Sequence, residues 1–166
     1  AGISIINVAT GKNKITNVIQ NYEDENYTDN EIQRILSYYN PVEILIHTKD
    51  FILTKEEIIN KYDLSHDNIY INHFIEEKEF TQIPYQNNLL QKVFNFNTMN
   101  TPIEELNLER KEEVLLSYIY LLNFIHQHKT TLIDNVERPD ELNDENYLIL
   151  SADSVRQLNV FNNYSF

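Results

Sequence analysis

The chain has 166 residues, 42% hydrophobic and 23% charged, the balance of an ordinary globular protein of about one domain. Without cysteine it is no disulfide scaffold, and 13 basic against 26 acidic residues leave a net charge of −13, which repels phosphate and argues against a broad nucleic-acid-binding face. Its two glycines, Gly2 and Gly11, are too few and too far apart for a glycine-rich phosphate loop, so nucleotide binding by that route is excluded.

The chain opens directly in a strand-like pattern, as an excised segment would. Ile3, Ile5, Ile6 and Val8 predict a well-buried strand over 2–8. The stretch 9–13 is a turn in which Gly11 can adopt positive φ. Alternation from Lys14 to Ile19 predicts the returning strand of a hairpin. Residues 21–28 are polar and acidic, a loop.

Asp29 can cap a helix over 30–39 with Ile32, Ile35 and Leu36 on one face. Asn40-Pro41 ends it, because a residue before proline disfavours the helical region. The apolar run 42–47 predicts an inner strand of an α/β unit. Thr54-Lys55-Glu56-Glu57 has the form of a capping box and opens a second helix over 54–62. Residues 68–73 carry β-branched and aromatic residues, as a strand does. A third helix is expected over about 85–96.

Thr101-Pro102 opens a new region, since proline suits a first helical turn. The strongest helical signal covers 109–128. Val114, Leu115, Tyr118, Leu121, Leu122 and Ile125 form one stripe, and Leu116, Ile119, Tyr120 and Phe124 a second. A helix apolar on most of its circumference is buried on most sides. The expectation is that part of its packing partner lies outside this chain. Tyr147–Leu150 reads as a short extended run. Ser151 or Asp153 then caps a last helix carrying Val155, Leu158 and Phe161. No internal repeat is present.

The chemical motifs are sparse. His126 and His128 lie two apart, so on a helix they point to different faces and do not chelate one ion together. His47, His66 and His73 are dispersed. Thr10-Gly11-Lys12 lacks the upstream glycine and following Ser or Thr of a phosphate loop and reads as the hairpin turn. Phe74-Ile75-Glu76 matches the three-letter spelling of a mismatch-sensing wedge, but its acidic flank is a poor surface for DNA. A nuclease built on a ribonuclease-H-like sheet needs carboxylates converging on Mg²⁺, the first from the middle of the opening strand. Here that strand offers Asn7, and the acidic residues fall in loop clusters such as Asp140/Glu141/Asp144/Glu145. No catalytic, cofactor-binding or metal-ligating residue is assigned.

Three stretches together resemble the MutS family of DNA mismatch-recognition ATPases. Gly2-Ile-Ser-Ile-Ile-Asn-Val-Ala-Thr-Gly11 is similar to the family's opening strand and Thr-Gly turn. Ile35-Leu-Ser-Tyr-Tyr-Asn-Pro41-Val-Glu-Ile-Leu-Ile46 is similar to its helix-to-strand passage through proline. Tyr147-Leu-Ile-Leu-Ser-Ala-Asp-Ser-Val-Arg156-Gln-Leu158 is similar to the segment that opens its core. Asn7 and Ser151 stand where the family usually has Asp.

The resemblance implies an α/β architecture: a ribonuclease-H-like connector domain, a mixed sheet with flanking helices, over residues 1–108. A mainly helical segment follows over 109–166, the linking helix and the start of the core or lever. It implies a non-catalytic segment that couples DNA binding to a distant ATPase. Val114, Leu115, Tyr118 and Leu122 are the candidates for transmitting that motion through packing. The family's mismatch wedge and its nucleotide site belong to other domains, so ATP and Mg²⁺ are expected only in a parent protein. The expected partners are other domains of the same chain, a MutL-type protein and, indirectly, DNA, with a dimeric parent and an intracellular location. Two alternatives stay open: a standalone acidic α/β protein-binding module, and a ribonuclease-H-like nuclease.

Overall fold

A computed structural model describes residues 1–47, 53–64, 69–72, 78–128 and 130–142. The described chain is α/β and divides into two compact units. The first comprises 1–18, 45–47, 71–72, 78–128 and 130–142, and the second 19–44, 53–64 and 69–70. No helix among the described residues is long and apolar enough to cross a membrane.

The first unit is built on a hairpin. Strand β1 (Gly2–Ile6) pairs antiparallel with β2 (Asn13–Asn17), Gly2 opposite Asn17 and Ile6 opposite Asn13. The turn between them is made by side chains as well as backbone. The Asn7 amide donates to the Lys12 carbonyl at 2.8 Å, and Asn7 Oδ1 accepts from the amides of Ala9 and Thr10 at 2.9 and 3.3 Å. Asn7 therefore sits beyond the strand's end, not in its middle, with its side-chain acceptor committed to the turn. Gly11 adopts φ +78. A short strand β5 (Asp140–Glu141) adds in parallel to β2, giving the order β1-β2-β5.

Helix α5 (Glu112–His128) covers one face of this hairpin. The face is Gly2, Ser4 and Ile6 of β1, with Asn13 and Ile15 of β2 directly opposite Ile6 and Ser4. Ile3 and Ile5, expected to be the buried positions, therefore point away from α5, and the whole of β1 is only half-buried. Small residues on the covered face explain the choice, since they let the helix backbone approach. A Cβ on Gly2 would overlap the Glu113 carbonyl.

Helix α5 also packs against α3 (Ile83–Phe94), the short helix α6 (Thr130–Ile133) and a 3-10 turn at Lys78–Thr81. No residue from 114 to 125 is exposed. Within this chain α5 packs on the hairpin along one flank and on α3 along another, while Leu116, Ser117, Tyr120, Leu121, Asn123 and Phe124 are only half-buried. Leu90, Leu108, Val114, Tyr118, Ile119 and Leu122 are the most deeply buried residues of this core. Helix α4 (Pro102–Glu105) starts on a capping box, with Thr101 Oγ1 accepting from the Glu104 amide and Glu104 accepting from the Thr101 amide.

The second unit holds α1 (Tyr27–Tyr39) and α2 (Lys55–Tyr62). The capping box on α2 forms between Thr54 and Glu57. The cap of α1 differs from expectation. Asn26 precedes the helix without a side-chain cap, and Asp29 lies in the first turn. There its charge favours the helix N-terminus, and it binds across to α2, accepting from the Tyr62 hydroxyl at 2.8 Å and pairing with Lys61 at 2.8 Å. Asn40 closes α1 at φ 41, with its amide on the Leu36 carbonyl. Strand β3 (Ile44–His47) pairs with β4 (Ile69–Asn72) in a separate two-stranded sheet and is half-buried throughout, not the deeply buried inner strand that its apolar run suggests. The expected strand at 147–150 and the last helix lie outside the described residues.

Candidate functional site

The four residues singled out for transmission, Val114, Leu115, Tyr118 and Leu122, all lie in the core of the first unit. Three are aliphatic and contribute packing alone. Tyr118 is different, because its hydroxyl enters the interior with it. A buried hydroxyl without a partner costs ~1–3 kcal/mol, so the fold must supply one, and it comes from β2.

Tyr118 donates to Asn13 Oδ1 at 2.9 Å. Asn13 is 4% exposed, and its amide nitrogen donates to the Gly11 carbonyl at 3.1 Å and the Glu137 carbonyl at 2.6 Å. The Glu137 amide in turn donates to the Gly11 carbonyl at 3.0 Å. One asparagine side chain thus ties three parts of the chain together: the backbone of the hairpin turn, the backbone that leads into β5, and, through the Tyr118 hydroxyl, α5. Burial pushes the Tyr118 phenol well above its ordinary value, with the Asn13 hydrogen bond opposing. It remains a neutral donor across the physiological range.

The joint extends along β1. Ser117, the residue before Tyr118, donates to Ser4 Oγ at 2.9 Å, and one turn further up the helix Gly2 meets the Glu113 carbonyl. At the far side of the turn, Gly11 meets Asn135, whose carbonyl a Cβ would overlap. Both glycines of the chain therefore stand where two backbones cross. On the outside, Lys111 pairs with Glu141, and Arg138 lies 4.8 Å from the Phe96 ring centre. These contacts are exposed and fix orientation more than they stabilise.

Sequence reasoning reached Tyr118 through the helical stripe but missed Asn13, Ser4 and Ser117. A tyrosine in an otherwise aliphatic stripe was the available signal, since a buried phenol demands an acceptor. The other candidates are scattered. His126 and His128 are exposed in the last turn of α5, where His128 Nδ1 lies 2.9 Å from the Phe124 carbonyl. His47 ends β3. His66, His73 and Phe74-Ile75-Glu76 lie outside the described residues. Among the described residues no group of three or more His, Cys, Asp or Glu could hold a metal ion. The arrangement holds a hairpin and a long helix in one register.

No protein-family model matches the chain. The chain is similar to a protein of Acanthamoeba polyphaga mimivirus named as a mutS homolog in DNA mismatch repair, 29% identical over 180 aligned residues. The match takes in 96% of this chain but 16% of that protein. This end-to-end similarity supports a MutS-like relationship for a chain that spans about one sixth of the relative it matches.

Proposed function

We propose that this chain is the connector segment of a MutS-like DNA mismatch repair protein. In this reading residues 1–108 are a ribonuclease-H-like connector, and 109–166 are the linking helix and the start of the core or lever. The segment is non-catalytic and couples DNA binding to a distant ATPase. ATP and Mg²⁺ act elsewhere in the parent, which is an intracellular dimer and engages a MutL-type protein. The observation that carries the reading is the match along 96% of this chain to one sixth of a mutS homolog. The Asn13–Tyr118 joint suits the role, because a coupling element must keep two discrete arrangements and resist intermediate ones.

The test is made on the full-length polypeptide that carries the segment. Mismatched duplex DNA is expected to stimulate its ATP hydrolysis, read as phosphate release, while the isolated chain turns over no ATP. ATP turnover by the pure segment, or a full-length protein indifferent to DNA, sinks the proposal.

One observation favours a second reading, a standalone acidic protein-binding module. That reading requires the long helix to be fully covered by its own chain, and no residue from 114 to 125 of α5 is exposed. The size of the native polypeptide separates the two. A product several times the mass of this chain supports the connector, and a product of this chain's own mass supports the module.

A further inference from the structure

The segment that ends the first unit is fastened unevenly. Its inner part is locked into the core. Asn135 crosses over Gly11, and Val136 is buried. The Glu137 amide donates to the Gly11 carbonyl, and its carbonyl accepts from the interior Asn13 side chain. Past Glu137 the fastening changes in kind. Arg138 lies over the Phe96 ring and reaches Glu105 at 3.8 Å, with 62% of its side chain exposed. Pro139 has no amide hydrogen to give. Strand β5 pairs with β2 over two residues, both exposed, and Lys111 holds Glu141 by an exposed ion pair. The Leu142 amide then donates to the Ile15 carbonyl at 2.9 Å, and the first unit ends there. Short ladders and exposed ion pairs open at little cost. A bond whose loss strands a buried amide does not.

We infer that residues 138–142 form a releasable strap with a built-in stop. The strap peels from the edge of β2, beginning at Leu142. Peeling halts at Glu137, because going further takes from the buried Asn13 amide one of its two acceptors. The hairpin and α5 stay closed meanwhile, since the Ser117–Ser4 and Tyr118–Asn13 bonds that join them lie outside the strap. The freed residues 138–142 extend by roughly 17 Å, so the chain beyond Leu142 gains reach while the core stays folded. Use of that reach in coupling rests on the function proposed above; the release itself does not.

The experiment uses the full-length polypeptide and amide exchange, read by mass spectrometry with fragmentation to single residues. The Leu142 amide is expected to exchange about tenfold faster than the Glu137 amide, after correction for intrinsic rates. Lys111→Gln removes the ion pair and is expected to speed Leu142 about threefold further, leaving Glu137 unchanged. Leu142 and Glu137 exchanging at one rate in the wild-type protein, or speeding up together in the variant, overturns the strap. Lys14 and Asp140 stand opposite in the ladder, so Lys14→Cys with Asp140→Cys locks the strap on oxidation and frees it on reduction. The locked protein is expected to lose DNA-stimulated ATP hydrolysis and to regain it when reduced. Stimulation that survives the lock overturns the strap's part in coupling. An unmodified protein indifferent to DNA instead sinks the connector reading, and the wild-type exchange rates still decide the strap.

Discussion

At the scale of single residues, the chain places a few polar groups where only one partner can reach them. Asn13 spends its side chain on Tyr118, Gly11 and Glu137. Tyr118→Phe leaves Asn13 Oδ1 buried and unpaired, so it is expected to cost ~1–3 kcal/mol. Asn13→Ala removes both donors and strands the phenol, and is expected to cost at least as much. The two changes share one network, so the double variant should lose clearly less than the sum. Urea midpoints for the four proteins measure this, and an additive cycle would mean the hydrogen bond is absent in solution. The sequence could not show this pairing, because its partners lie 105 positions apart. An asparagine beside a turn reads as loop chemistry, and only the folded register reveals it as interior.

The two glycines make the same point through backbone. Gly11 combines φ +78 with a crossing over Asn135. Gly11→Ala adds both strain and overlap, and is expected to cost more than the ~1 kcal/mol of the left-handed conformation alone. Thermal unfolding checks it.

At the scale of elements, local signals proved the most legible. The Thr54/Glu57 capping box is present as its spelling predicts, because both halves of the motif lie within four residues. Thr54→Ala is expected to cost ~1 kcal/mol, read as a lower urea midpoint. Helix ends are also written locally. With glycine scarce, Asn and Asp supply the left-handed stops, at Asn40, Asp63 and Asn95. Their side chains tolerate positive φ better than most. Asn95→Ala should therefore destabilise by ~1 kcal/mol, whereas alanine at the exposed, ordinary helical position Gln127 should be near neutral. What the sequence left open was the facing of β1. Both of its sides carry isoleucine, at 3 and 5 or at 6, so alternation alone gave no decision. The small residues Gly2 and Ser4 made it, by letting α5 come close.

At the scale of the whole molecule, charge and connectivity dominate. A net charge of −13 on 166 residues opposes compaction through self-repulsion. Salt screens that repulsion, so the melting temperature is expected to rise from low to physiological ionic strength. A fall would mean that attractive pairs such as Lys61–Asp29 and Lys111–Glu141 outweigh the repulsion. The α/β class was legible from helices alternating with apolar runs. The mixed β1-β2-β5 sheet was not, because a two-residue parallel strand drawn from an acidic loop carries no periodicity of its own.

The hairpin and its covering helix are far apart in the chain, and that separation has a consequence during synthesis. β2 ends at Asn17, and α5 ends at His128. At roughly 5–20 residues per second, translation of the intervening stretch takes on the order of 6–22 seconds. Isolated hairpins are marginal in water, so for those seconds the strands that will carry Asn13 lack their floor, and Ile6 and Ile15 stand bare as each leaves the ribosome. A nascent-chain chaperone that recognises short β-prone apolar segments would meet the hairpin at residues 2–17, and would have to let go before Tyr118 could find its asparagine.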